Sequence, residues 1–157
     1  SCRDRSMSDA SPDDVIRLNM KAALKHLPKL GFTETSEELG GQISLDPEHL
    51  VTAVGDIILV RRNMGSSYHL SVVVDDADQE ITDVVRGADL FESTQIHVVL
   101  QVLLNLPVPR YHHHRLIRDD AGKRLAKRDD ARAIAKYRED GASPQDIHAR
   151  LGLTPKP

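Results

Sequence analysis

The sequence predicts an α/β fold in which at least some strands of the sheet are parallel. Two kinds of segment alternate along its 157 residues. Short apolar runs bounded by turn residues, at 56–62, 81–87 and 110–117, are typical of buried strands. A longer segment, 89–106, has apolar residues three and four apart and indicates an amphipathic helix. Strands that alternate with helices favour a sheet with parallel pairing.

The first fifty residues contain less regular patterns. Ser11 and Pro12, followed by two acids, predict the start of a helix within 11–27. The β-branched residues of "VIRL" leave a short strand open as an alternative. Residues 30–50 are polar and contain glycine, so we expect a surface insertion or a linker there.

The remaining elements follow the same rules. The apolar run "YHLSVVVDD" at 68–76 predicts another strand, and 131–140 predicts a helix. The last helix is expected within 143–153, because Ser143 is a good cap and Gly152 is a good stop. The chain is therefore expected to end in short helices.

Composition limits the classes of function. A net charge of −3 argues against a protein that holds DNA or RNA by bulk charge, so any RNA contact must be local. Cys2 is the single cysteine, which excludes an intramolecular disulfide. No apolar run reaches the ~20 residues that a membrane span needs, and no secretory signal is visible. These features predict a cytoplasmic protein that binds neither membrane nor DNA.

Three consecutive histidines raise the possibility of a metal site. On a strand, His112 and His114 point to one face and His113 to the other, so the three cannot converge on one ion. No carboxylate or cysteine lies beside them at ligand spacing. The sequence therefore predicts no metal site among these residues.

Arg86 is a candidate for binding an anionic substrate. It lies at the end of an apolar strand and precedes a glycine, so its guanidinium can present a fixed pair of donors to a carboxylate. An ordinary surface ion pair with Asp83 or Asp89 is the alternative. Tyr68 is a candidate hydroxyl donor at the same edge of the sheet, and simple packing is its alternative.

The segment "DDAGKRLAKRDDA" at 119–131 places four basic residues between two pairs of acids. Gly122 and the paired aspartates predict a turn. In that turn Arg124 and Lys127 are three residues apart, and together they are suited to close over a phosphate group. A solvated charged turn without a ligand explains the same pattern.

Three motifs in fixed order resemble a known family. They are "YHLSVVVDDADQEITDVVRGADL", "STQIHVVLQVLLNLPVPRYHHHRLI" and "GKRLAKRD". Together they resemble the second half of the catalytic domain of the class I glutamyl-tRNA synthetase group. Within that group they look most like the short branch, the glutamyl-Q tRNA(Asp) synthetases. The stretch "RLAKR" at 124–128 takes the place of that class's KMSKS loop.

The resemblance implies a Rossmann-like fold and an ATP-dependent ligase. Such an enzyme activates glutamate with ATP and Mg²⁺ and, in the short branch, transfers it to queuosine in the anticodon loop of tRNA(Asp). By position, Tyr68 and Arg86 would bind glutamate. Lys127 would contact the ATP phosphates and act in catalysis together with Arg124.

The sequence departs from the family pattern in three ways. Arg124 stands where the loop motif begins with lysine, and Ala126 stands where serine is usual. The HIGH-type motif of the ATP site is not found in these residues, and Cys2 resembles the last ligand of a zinc site whose other ligands would lie upstream. Zinc is therefore expected only in an intact protein, and this chain is expected to be an inactive fragment.

The resemblance also implies a division of the chain and leaves other functions open. Residues 1–54 would be a connective insertion, 55–153 the second half of the catalytic domain, and 154–157 a tail. One alternative is a fragment of a glutamyl-tRNA synthetase that charges tRNA(Glu). Another is a non-catalytic module that binds nucleotide or RNA.

Overall fold

The computed structural model describes residues 5–62, 65–118, 122, 124–125 and 133–153. These residues form two compact units, one that runs to His114 and one that begins at Arg115. The strands of the first unit are β1 (Ile16–Leu18), β2 (Gly31–Glu34), β3 (Gly41–Ser44), β4 (Ile57–Arg61), β5 (Gly65–Ser66), β6 (Asp83–Gly87) and β7 (Arg110–His114). Its α-helices are α1 (Met20–Leu24), α2 (Pro47–His49), α3 (Tyr68–Asp78) and α4 (Phe91–Leu103). In the second unit, the helices are α5 (Ile134–Glu139) and α6 (Pro144–Leu151).

The strands of the first unit form two sheets. One is antiparallel with the order β1-β4-β5, and the other has the order β3-β2-β7-β6. In the second sheet, β7 pairs parallel with both β6 and β2. Helix α4 connects β6 to β7, as a crossover between parallel strands requires. The expected α/β class with partly parallel pairing is confirmed.

One hydrophobic core holds these elements together. It contains buried side chains from both sheets and from α1, α3 and α4, among them Met20, Phe32, Ile57, Val73, Val98, Val99 and Tyr111. Phe32 lies against Tyr111 in an edge-to-face arrangement, with ring centroids 5.3 Å apart. The predicted strands at 56–62, 81–87 and 110–117 and the predicted helix at 89–106 are confirmed.

The predicted helix at 11–27 is wrong over most of its length. Ser11 does not begin a helix there, and its backbone N–H donates instead to the carboxylate of Asp14 at 2.7 Å. The alternative strand is present as β1, paired with β4. The helix begins only at Met20, where the side chain of Asn19 accepts a hydrogen bond from the backbone N–H of Ala22. β-Branched residues before Arg17 favour the extended backbone.

The prediction of a surface insertion or linker at 30–50 is also wrong. This segment contains the hairpin of β2 and β3, and β2 is an inner strand of the four-stranded sheet. Phe32 and Glu34 are buried on one side of β2. Their spacing of two residues is the strand signal that the polar and glycine content of the segment hid.

The predicted strand at 68–76 is helix α3. Ser67 caps this helix by accepting a hydrogen bond from the backbone N–H of Leu70. Val73 is fully buried, whereas Val74 is 45% exposed, which is the pattern of a helix with one buried face. A run of three valines therefore favoured the wrong element, and the cap at Ser67 was the available signal.

The second unit confirms the expected terminal helices. Ser143 and Asp146 form a reciprocal capping box at the start of α6, and Gly152 ends the helix with a φ of 68°. Gly122 has a φ of 79°, in keeping with the predicted turn. In the described part of the chain, no helix has both the length and the apolar character that crossing a membrane requires.

Candidate functional site

The parallel pair β6 and β7 brings the carboxyl ends of two strands together. Their register runs from Asp83 opposite Arg110 to Gly87 opposite His114. Along β6, Val85 is 68% exposed, whereas Arg86 beside it is only partly exposed and belongs to the other face. This edge of an α/β sheet is where such folds bind their ligands.

Arg86 is in contact with an aromatic and a histidine side chain. Its Nη1 donates a hydrogen bond to Nδ1 of His97 on α4, at 3.1 Å. Its guanidinium lies over the ring of Tyr111, 4.8 Å from the centroid. Asp83, one of the two carboxylates expected as ordinary partners, is instead paired with Arg110 at 2.8 Å. Arg86 is therefore held from two sides by uncharged rings.

Two donors of Arg86 are left over. Its Nε and Nη2 atoms are buried and have no hydrogen-bond partner within the described residues. These two N–H groups point the same way from one edge of the planar guanidinium, and that edge matches the two oxygens of a carboxylate. A buried donor without a partner costs about 1–3 kcal/mol. The open edge of Arg86 is thus a place where an anion gains strong hydrogen bonds.

A chain of two histidines continues from Arg86. Arginine only donates hydrogen bonds, so Nδ1 of His97 must accept. The proton of a neutral His97 then lies on Nε2, which contacts Nδ1 of His69 on α3 at 3.0 Å. Burial, and then the charge of Arg86, lowers the pKa of His97 to about 3. Burial and the charges of Arg61 and Arg86 also lower the pKa of His69, so both rings are neutral at neutral pH.

Tyr68 and Asp76 of helix α3 lie around the same cluster. The Tyr68 ring meets His97 edge-on, with centroids 5.7 Å apart, and the side chain is 51% exposed. Burial raises the pKa of Asp76, and the charge of Arg86 opposes that rise, which places the two groups within electrostatic reach. The structure thus brings Tyr68 and Arg86 to the same histidine, His97. The sequence alone does not reveal this shared contact.

A second cluster lies between the sheet and helix α4. We call it closed because each of its polar side chains has a hydrogen-bond partner. Nδ1 of His113 and Oε2 of Glu34 are 2.5 Å apart, and neither side chain is exposed. The other Glu34 oxygen accepts from the backbone N–H groups of Ser36 and His113. Nε2 of His113 is 2.7 Å from the hydroxyl oxygen of Thr94. Burial alone raises the pKa of Glu34, but these hydrogen bonds outweigh it and lower the pKa from 4.5 to about 2.

The three histidines of β7 face as strand alternation predicts. His113 is buried, while His112 is partly exposed and His114 is exposed. His112 contacts the hydroxyl of Thr35 at 3.1 Å. Across the described residues there is no group of three or more His, Cys, Asp and Glu side chains able to hold a metal ion. Cys2 lies outside the described residues.

The basic loop is described only in part. Arg124 forms an isolated antiparallel bridge with Arg118, and the backbone N–H of Leu125 donates to the Ile117 carbonyl at 3.0 Å. Nη1 of Arg118 donates to the carbonyl of Gly122. Lys127 lies outside the described residues. In the described part of the loop, Arg124 thus lies opposite Arg118, and Leu125 is hydrogen-bonded to Ile117.

The sequence did not point to His69 and His97 as site residues. His97 falls on the buried face of a well-predicted helix, where a histidine is usually a packing residue. His69 was assigned to a strand that is in fact α3. The available signal for His69 was its position on a helix. It lies four residues before the buried Val73, and therefore on the same side of α3.

Comparison with known proteins gives consistent matches. Residues 8–156 match the family described as "tRNA synthetases class I (E and Q), catalytic domain". The chain is 57% identical to the glutamyl-Q tRNA(Asp) synthetase of Rhodobacter capsulatus, over 98% of this chain and 55% of that protein. It is 38% identical to the protein of the same name from Nocardia farcinica, over 100% of this chain and 49% of that protein.

Among solved structures, a glutamate tRNA ligase from Elizabethkingia meningosepticum in complex with its amino acid matches with a TM-score of 0.48. The match has 25% identity and covers 83% of this chain and 20% of that chain. The present chain spans about half the length of the curated relatives that it matches.

Proposed function

This chain belongs to the family of class I (E and Q) tRNA synthetase catalytic domains, and from that membership we propose that it forms part of an enzyme that activates glutamate with ATP. The activated glutamate is then transferred to tRNA(Asp). The names of the two curated relatives support this substrate and this tRNA. The division into a connective segment at 1–54, a catalytic half at 55–153 and a tail at 154–157 is part of the same proposal.

The single observation that carries the proposal is the open edge of Arg86. Its Nε and Nη2 are buried without a partner among the described residues, so an incoming carboxylate replaces an energetic cost with two charge-assisted hydrogen bonds. Glutamate has two carboxylates, one on its backbone and one on its side chain. The neutral state of His97 matters here, because a protonated imidazole has no free nitrogen to accept the hydrogen bond from Nη1 of Arg86.

The surroundings of Arg86 suit an amino acid with charges of both signs. Asp76 supplies a carboxylate within electrostatic reach of Arg86, and such a group attracts a substrate ammonium. Tyr68 is half exposed beside His97, which leaves its hydroxyl accessible to a ligand. Positive and negative groups within electrostatic reach of each other favour a zwitterion over a simple anion.

The ATP part of the reaction is assigned to the basic loop. We place Lys127, with Arg124 as its neighbour, against the phosphates of ATP, where positive charge stabilises the transition state of adenylate formation. Mg²⁺ would neutralise the same phosphates when bound, and no residue of the described chain is assigned to hold it. Adenylate formation of this kind needs positioning and charge stabilisation more than a side-chain nucleophile.

The acceptor is proposed to be queuosine in the anticodon loop of tRNA(Asp). The net charge of −3 does not favour binding along the whole tRNA by bulk charge, so a local contact at one loop agrees with the composition. A local contact is also what recognition of a modified base requires.

The first test is glutamate-dependent exchange of pyrophosphate into ATP, measured with the full-length protein from the same reading frame. We expect Arg86→Ala to lower kcat/KM for glutamate by about 100-fold or more, because two charge-assisted hydrogen bonds are lost. Arg110→Ala is the matched control, since Arg110 lies on the adjacent strand and is bound to Asp83 in an exposed pair. Lys127→Ala tests the loop in the same assay.

The second test measures transfer of labelled glutamate to tRNA(Asp) with and without queuosine, with tRNA(Glu) as a competing acceptor. Label on queuosine-containing tRNA(Asp) alone supports the proposed acceptor. Label at the 3′ end of tRNA(Glu) would instead favour a glutamyl-tRNA synthetase. A full-length protein that catalyses no exchange with any amino acid would overturn the ligase and leave a binding module.

A further inference from the structure

We propose that His97 is a positioning residue for substrate binding: it holds the guanidinium of Arg86 so that the Nε and Nη2 edge faces the carboxylate of glutamate. The inference rests on the proposed function and adds a role to a residue that makes no contact with substrate in that proposal. Its basis is the 3.1 Å hydrogen bond from Nη1 of Arg86 to Nδ1 of His97.

The geometry explains why this contact fixes one orientation. A guanidinium that is anchored at Nη1 cannot rotate about its axis without breaking that bond, so the opposite edge stays aimed in one direction. The Tyr111 ring below Arg86 limits tilting of the plane, at 4.8 Å from the centroid. His97 is 2% exposed and cannot move away to another rotamer without disrupting the core.

His69 fixes the tautomer of His97. The Nε2 proton of His97 donates to Nδ1 of His69 at 3.0 Å, and this leaves Nδ1 of His97 as an acceptor for Arg86. The Tyr68 ring packs edge-on against both histidines, with centroid distances of 5.5 and 5.7 Å. Because both of its ring nitrogens are hydrogen-bonded, the buried His97 ring holds Arg86 in one position.

No acid on β6 supplies this contact to Nη1 of Arg86. The nearest acid on its own strand, Asp83, is three residues away at the other end of β6 and is bound to Arg110. A charged partner at Nη1 would neutralise Arg86 and weaken its attraction for an anion. An uncharged imidazole fixes the side chain without adding a negative charge that would offset the charge of Arg86.

The test compares two variants of His97 in the full-length protein. His97→Leu keeps an apolar side chain of similar size but removes the acceptor. His97→Asn places an amide oxygen near the position of Nδ1 and restores the acceptor to Arg86. His49→Leu is the matched control, because His49 is an exposed histidine that contacts Glu92 at 3.2 Å.

Glutamate affinity is measured by calorimetry, and ATP affinity is measured in parallel. We expect His97→Leu to bind glutamate about 10- to 100-fold more weakly, in line with the loss of a hydrogen bond to a charged group. His97→Asn is expected within about threefold of wild type, and ATP affinity is expected to be unchanged in both. Equal weakening in both variants, or none in either, would overturn the positioning role.

A second readout separates this inference from the proposed function. Side-chain nitrogen spectra report the tautomer of His97 and the environment of Arg86 without any substrate. Signals of Arg86 that change in His97→Leu and are retained in His97→Asn support the contact even if wild type binds no glutamate, an outcome that would overturn only the proposed function. Arg86 signals that are identical in all three proteins would overturn the contact itself.

Discussion

Two buried histidine clusters in the same unit differ in how completely their donors and acceptors are paired. In the cluster of Glu34, His113 and Thr94, the carboxylate receives three hydrogen bonds and both ring nitrogens have partners. In the cluster of Arg86, His97 and His69, both nitrogens of His97 have partners, but two donors of Arg86 have none among the residues that the structure describes. The first cluster leaves no donor for a ligand, whereas the second leaves the Nε and Nη2 donors of Arg86.

This difference separates structural networks from binding sites better than residue type does. Both clusters combine a buried histidine with a charged side chain, and a list of residue types alone would rank them equally. A closed network stabilises the fold because every polar group is satisfied. An open network is retained at a cost in stability, which is typical of sites that bind a ligand.

The largest expected effect comes from opening the closed cluster. Glu34→Ala removes a fully buried carboxylate and leaves His113 and two backbone N–H groups without an acceptor. We expect the free energy of unfolding to fall by ~3–5 kcal/mol, measured by urea denaturation. Glu92→Ala is the control, since Glu92 is exposed in its contact with His49 and is expected to cost less than ~1 kcal/mol. Equal losses in the two variants would show that the network does not hold the sheet.

Acid pH is expected to weaken the same cluster by a comparable but smaller amount. The pKa of Glu34 is lowered from 4.5 to about 2 in the folded protein, so its stabilisation is complete above about pH 5. That stabilisation is lost as pH falls from 4.5 through 2, because the unfolded chain binds the proton first. The loss is on the order of 3 kcal/mol at completion.

The measurement for this acid limb is unfolding free energy against pH in wild type and in Glu34→Gln. The variant cannot titrate at position 34, so its curve should be flatter over the same interval. Asp83→Asn is a useful control because the pKa of Asp83 is lowered by Arg110 in an exposed setting. Parallel curves for wild type and Glu34→Gln would contradict the assignment of the acid limb to Glu34.

The smallest effect on stability is expected at the open cluster. Arg86→Met removes two unsatisfied buried donors but also the donor to His97, so these changes offset each other. We expect the free energy of unfolding to stay within ~1 kcal/mol of wild type, measured by the same urea titration. A loss as large as that of Glu34→Ala would mean that Arg86 is a structural residue and would remove the distinction between the clusters.

Local patterns were sufficient where an element is specified by its own residues. Helix α4 follows from its apolar spacing, and α6 follows from the cap at Ser143 and the stop at Gly152. The alternation of His112 and His113 followed from strand geometry alone. Local patterns were insufficient at α3, where valines with a high strand preference lie in a helix, because packing of Val73 into the core decides the element.

The candidate site was predictable only in pieces. Arg86 and Tyr68 were named as candidates from position and resemblance, whereas His69 and His97 were not, because nothing nearby in the sequence marks a buried histidine as part of a site. The partner of Glu34 is 79 residues away, so no window of sequence contains both. Glu34 was therefore assigned to a polar linker, although it is buried in the centre of a sheet.

By itself, the sequence determined the α/β class, the elements from β6 onward and the family, since these depend on periodicity, caps and motifs within short windows. Only the tertiary structure decided which charged and aromatic side chains meet. Residues 69, 86 and 97 lie on α3, β6 and α4, and their contact depends on the parallel pairing of β6 with β7 and on the packing of both helices against the sheet. Long-range packing places the donors of Arg86, and two of them have no partner in the described part of the chain.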